Sequence, residues 1–186
     1  MPELSQEEVR QYLFARVDLI VVQHGLLEGF RAALLDDDIV AAYNRNARFF
    51  GTVETALFNS IVVLLYSLLE TRKDTVNLKQ LICSIEITKG AEHTKGYRKR
   101  MSDLEPFFKK VAKLRSEAVG HLTNSRPLED THNLANLLYS DVESLITGIK
   151  ELFTSISNNE FGIDPGFRSD SNLASIAILA KLKVPL

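Results

Sequence analysis

Apolar side chains recur at helical spacing over nearly the whole chain, and this periodicity is the strongest constraint on its fold. After Ser5 they fall at Val9, Leu13, Val17, Ile20, Val21 and Leu27. Further on they fall at Leu134, Leu137, Leu138, Val142, Leu145, Ile149 and Phe153. Steps of three and four residues put side chains on one helical face, and the two-residue alternation of a half-buried strand is absent. The pattern predicts an all-α chain, an antiparallel bundle of four to five main helices with a short C-terminal helix.

Local signals place the breaks. Ser5 with Glu8 forms a capping-box start, and the acids after Ser5 suit the positive end of a helix. Asp36-Asp37-Asp38 would oppose the negative end of a helix, so it marks a break and the next start. Gly25 and Gly29 weaken the first helix. A second helix is expected over 39–50, punctuated by Gly51-Thr52, and a third over 52–69, the most hydrophobic. Residues 71–75 read as a loop, 78–82 as a short helix, and 89–95, with Gly90 and Gly96, as a mobile connection. Another helix is expected from about Tyr97 to Leu122. Within it Pro106 either kinks the helix or marks its true start. After the break at 123–127, with Pro127 in a first turn, the last long helix runs to about Ser155. Residues 1–157 thus form the bundle. Residues 158–186 form a turn-rich linker and a short helix over about 171–181.

Composition limits the classes of function. A 186-residue chain with 45% hydrophobic residues can bury a substantial core. Its net charge of −2 gives no general footprint for nucleic acid or an anionic membrane. The single cysteine, Cys83, excludes an internal disulfide and suits a buried structural role in a reducing compartment. The chain opens on acidic residues rather than a leader pattern. Its most apolar run, Ile61 to Leu69, is shorter than the roughly 20 residues a bilayer span needs. The expectation is a cytoplasmic protein with no membrane association.

No CxxC, HExxH, GxSxG or phosphate-binding glycine loop is present. A carboxylate-bridged metal site in a bundle wants two Glu-x-x-His pairs. Glu129 with His132 supplies one, and Glu117 with His121 shares a face four residues apart, but the second pair is missing; no metal or cofactor is expected. The stronger constellation is Arg115 with His121. Arginine holds a phosphate through parallel hydrogen bonds and stays charged, while histidine titrates near neutrality and moves protons. Together they could cleave RNA without metal, histidine activating a ribose 2′-OH and arginine stabilising charge on phosphorus. On a straight helix the two side chains lie about 120° apart and about 9 Å along the axis, so two apposed copies are needed to build one cleft. Spacing alone is not specific, since Arg126 and His132 repeat it. In an ordinary structural role Arg115 would pair with Glu117 or Asp103, and His121 would sit at a negative helix end.

The segment Lys113-Leu114-Arg115-Ser116-Glu117-Ala118-Val119-Gly120-His121, at the end of a long helix before a turn and a final bundle helix, resembles the Arg-polar-x3–5-His signature of HEPN domains. Phe49-Phe50-Gly51-Thr52-Val53, residues 61–69 and Asn77-Leu78-Lys79-Gln80-Leu81-Ile82 resemble the AbiU2-like branch, associated with abortive phage infection. The likeness covers about residues 40–150. It implies a metal-independent endoribonuclease, a homodimer in many members, in a phage-defence or toxin–antitoxin setting with a cognate toxin or antitoxin partner. Arg115 would bind phosphate, His121 would serve as acid and base, and Ser116 would occupy the polar second position at the substrate. The family more often carries Asn, Asp or His where Ser116 stands. Many HEPN domains are non-catalytic, so the alternative is an interaction or antitoxin module acting through protein contacts.

Overall fold

Ser5 opens the first helix as its spacing predicts. In the computed structural model, which describes residues 4–72, 74–116 and 139–168, the Ser5 hydroxyl accepts from the Glu8 amide at 3.2 Å. The Glu8 carboxylate in turn accepts from the Ser5 amide at 2.8 Å. Helix α1 (Gln6–Ala33) then runs unbroken through Gly25 and Gly29. Leu13, Val17, Ile20 and Leu27 are buried along it. That burial outweighs the roughly 1 kcal/mol each glycine costs relative to alanine.

Among the described residues there are seven helices and no strand. The remaining six are α2 (Asp37–Arg45), α3 (Ala47–Leu69), α4 (Leu78–Lys89), α5 (Ala91–Asp103), α6 (Glu105–Leu114) and α7 (Tyr139–Phe161). The chain is all-α, as expected. Its contacts divide it into two units. One comprises Met1–Val17 with Val62–Gly166, the other Asp18–Ile61 with Phe167–Leu186.

In the second unit, Asp36 caps α2, its carboxylate accepting from the Ile39 amide at 3.3 Å. The break between α2 and α3 lies at Asn46, not at the expected Gly51-Thr52, which sits inside α3. The reason is packing around Phe50. Its ring stacks on Tyr43 at 5.0 Å and meets Phe30 edge-on at 6.1 Å, within a core of Phe30, Ala33, Ile39 and Phe50. A helix continuous through Gly51 keeps Phe50, Val53 and Leu57 against that core. In the same unit Arg168 holds the buried Asp18 carboxylate by its amide at 3.2 Å and by its guanidinium, with Nε at 2.8 Å.

Because α3 passes through Gly51, its 23 residues are long and apolar enough to cross a bilayer by length and composition, contrary to the expectation from 61–69 alone. Ile61, Val62, Leu65, Leu68 and Leu69 are buried in protein, yet only 28% of its most apolar window is covered.

In the first unit, α4 packs on α5, and α5 and α6 pack on α7. Asn77 caps α4, its Oδ1 accepting from the Gln80 amide at 2.9 Å. Helix α4 extends to Lys89, well past the expected 78–82. The expected mobile connection over 89–95 is a single sharp corner at Gly90 (φ +90°) followed at once by α5. Thr94 is fully buried there, and its hydroxyl donates to Glu86 at 3.2 Å. Pro106 lies in the first turn of α6, where its missing N–H costs nothing, so the second of its two readings holds. Helix α7 continues to Phe161 rather than ending near Ser155. Gly162 (φ +67°) closes it, donating to the Asn158 carbonyl at 3.1 Å. The breaks and helix expected within 117–138 and 169–186 lie outside the described residues.

Candidate functional site

Helix α6 carries Val111 and Leu114 into the core and turns Arg115 outward. Lys110 bonds Asp141 at 2.9 Å and fixes α6 to α7. Arg115 caps the helix with helical torsions (φ −57°, ψ −44°), so the geometry of α6 continues through it. Both Arg115 and Ser116 are exposed. The Arg115 guanidinium lies over the Tyr66 ring of α3, 4.9 Å from its centroid, and Tyr66 in turn lies 5.8 Å from the Phe108 ring. A cation over an aromatic face is drawn to the ring's negative quadrupole, while the N–H edges of a guanidinium remain free for an anion. Arg115 is thus an exposed residue whose guanidinium is stacked on an aromatic ring. The expected His121, together with Glu117, Glu129, Arg126 and His132, lies outside the described residues.

Phe108 and Arg115 are seven residues apart, which returns to within about 20° of one face of a helix. On that face, beside Phe108, opens a cavity of about 460 Å³. Leu69, Ile82, Met101, Leu104 and Phe108 line it with Thr71 and Ser102, and Lys79, Arg98, Lys109 and Glu105 stand around it. Lys109 pairs with Glu105 at 2.9 Å, and Arg98 pairs with Glu86. Lys79 is exposed and has no ion pair among the described residues.

A second polar cluster lies where α7 meets the corner between α4 and α5. The Glu160 carboxylate, 2% exposed, accepts from Lys89 Nζ at 2.8 Å and from Tyr97 Oη at 2.7 Å, with His93 Nε2 at 2.8 Å. Burial pushes its carboxyl up. The hydrogen bonds from Lys89, Tyr97 and His93 outweigh that and hold it below the usual carboxylate range. Tyr97 is pushed up by its own burial and by the neighbouring carboxylate. This arrangement ties helices together and offers no open position to a substrate. Cys83 is half-buried, its sulfur 3.7 Å from the Arg98 guanidinium. Among the described residues no three His, Cys, Asp or Glu side chains gather to hold a metal ion.

Sequence reasoning singled out Arg115 but missed Tyr66 and the cavity. The seven-residue step from Phe108 to Arg115 was the readable signal. Tyr66 carried none, because its meeting with Arg115 depends on how α3 and α6 pack.

The family model described as AbiU2, of the HEPN type, matches residues 34–164, more than half of the chain. No curated protein and no solved structure matches it significantly.

Proposed function

Since the chain belongs to the AbiU2 family of HEPN proteins, we propose that it is a metal-independent endoribonuclease acting in phage defence. The observation that carries this reading is the placement of Arg115: at the end of α6, exposed, and stacked on Tyr66. That is how an arginine is kept ready for a phosphate. In this reading His121 takes the proton from a ribose 2′-OH, and the 2′-oxygen attacks the adjacent phosphorus. As the P–O5′ bond breaks, the departing 5′-oxygen is protonated by His121 of the partner subunit. Arg115 bonds the phosphoryl oxygens and stabilises their charge in the transition state. Ser116, exposed beside Arg115, contributes a hydroxyl to the substrate.

The roughly 120° separation of the pair on a helix makes a homodimer part of the mechanism. The test is purified protein with structured and single-stranded RNA in chelator, beside Arg115→Ala and His121→Ala. Cleavage by the wild type and its loss in both variants is expected. Equal activity in all three would overturn the mechanism. No cleavage by any of them, with tight binding to a protein partner, would favour the non-catalytic interaction or antitoxin reading.

A further inference from the structure

We propose that the cavity beside Phe108 is a subsite for one unstacked nucleobase of an RNA strand whose backbone runs on past Tyr66 to Arg115. The proposal rests on the ribonuclease reading above and specifies the form of RNA it acts on.

Size and chemistry agree. About 460 Å³ falls within the usual range for small-molecule sites, which are apolar with a few placed polar groups. Phe108 contributes an aromatic side chain to the lining, and Leu69, Met101 and Leu104 add apolar ones. A nucleobase has two apolar faces and a polar edge, and stacking on aromatic side chains is how unpaired bases are held. A methionine sulfur is polarisable and sits favourably against a ring. The hydroxyls of Thr71 and Ser102 lie at the same cavity for the polar edge.

Charge and register agree too. A base that enters this cavity brings its phosphate to the rim. There, among the described residues, Lys79 stands without an ion pair and Lys109 pairs with the exposed Glu105. From Phe108 to Arg115 the axial rise is about 10 Å along one face. The Tyr66 ring bridges that interval, touching both Phe108 and Arg115. A strand anchored by its base at Phe108 is therefore led along the aromatic pair to the arginine. A base inside a continuous duplex cannot enter, so the substrate must present an unpaired base, in a loop or a single strand.

The chain's two methionines supply a reporter, because one of them, Met101, lines the cavity. Full-length protein labelled at the methionine methyl carbons gives two signals, assigned with Met101→Leu. It is titrated with a short single-stranded 2′-O-methyl RNA, which cannot be cleaved through the 2′-oxygen, with the same sequence as a blunt duplex, and with ribose 5-phosphate. The single strand is expected to shift the Met101 signal, and the other two to leave it in place. Ser102→Trp, which plugs the cavity from its exposed side, should weaken single-strand binding about tenfold. If the strand binds in an Arg115-dependent way while the Met101 signal stays fixed, the subsite is wrong and the ribonuclease reading stands. An equal shift with ribose 5-phosphate overturns base recognition. If no RNA binds at all, the ribonuclease reading fails and the subsite with it. Should Ser102→Trp misfold, the wild-type titration alone decides.

Discussion

The guanidinium of Arg115 and the ring of Tyr66 lie 4.9 Å apart across α6 and α3, and in the proposed ribonuclease this contact would set where the arginine meets its substrate. Tyr66→Phe keeps the aromatic face and should leave RNA cleavage close to wild type. Tyr66→Leu removes it. Arg115 is exposed and Tyr66 half-buried, so stability should fall by about 1 kcal/mol. Loss of orientation at a reacting phosphate is more costly, and kcat/KM should fall about tenfold. Cleavage assays on one RNA with the three proteins check this. Equal rates for Tyr66→Leu and wild type would remove the ring from the mechanism.

Glu160 should make stability depend on pH on the acid side. Its folded carboxyl titrates below the ordinary value of 4.5, so the unfolded chain binds the proton first as pH drops. The stabilisation is complete above about pH 4.5 and is lost as pH falls through the lower folded value. Glu160→Gln should cost roughly 1–3 kcal/mol near neutrality, since Lys89, His93 and Tyr97 lose a charged acceptor, and should flatten the acid limb. Urea denaturation of both proteins across that range measures it. An unchanged acid limb would assign the effect to other carboxylates.

Asn77 is 1% exposed and fully used. Its Oδ1 caps α4 and its Nδ2 donates to the carbonyls of Arg72 and Thr75, each at 3.0 Å. Asn77→Ala removes the cap and leaves buried groups unpaired, at a cost of about 2 kcal/mol. For a chain of this size the melting temperature should fall by about 4–8 °C. Asn77→Asp keeps the acceptor and loses the donors, so it should fall between the two. A melting temperature unchanged in Asn77→Ala would show that water replaces the side chain.

Gly148, on α7, faces Leu104 so closely that an added Cβ would meet Leu104 Cδ2 at 2.4 Å. Gly148→Ala gains about 1 kcal/mol of helix propensity and meets an overpacking cost of about 1–3 kcal/mol. The methyl is the far end of a side chain and can turn away, so the net loss should be about 1 kcal/mol. Leu104 also lines the cavity. The same substitution should therefore move the Met101 methyl signal in the absence of RNA. A shift in stability with no change at Met101 would mean that Leu104 yields in another direction.

Features that depend on neighbours in sequence were legible. Ser5 and Glu8, the Asp36 cap and Pro106 in a first turn all stand where local chemistry requires them. Features that depend on distant packing were not. Gly51-Thr52 reads as a stop until Phe50 is seen against Tyr43 and Phe30. Asn158-Asn159-Glu160 reads as a turn, yet it is helical because Glu160 meets Lys89, His93 and Tyr97, which lie 71, 67 and 63 residues away. The same division runs through the site. The arginine was visible from its motif, and its ring partner was not.

Helix ends normally fray, opening many times for each unfolding of the whole domain. The Glu160 contacts change that for the end of α7. Three donors from the two sides of the Gly90 corner must all let go before the last turn can open, and Ile156 and Ser157 one turn earlier are fully buried. Amide protons here should exchange with solvent about as slowly as those at the centre of the helix. The end of α7 then belongs to the most persistent part of its unit, a fixed post for the α4–α5 corner rather than a loose terminus.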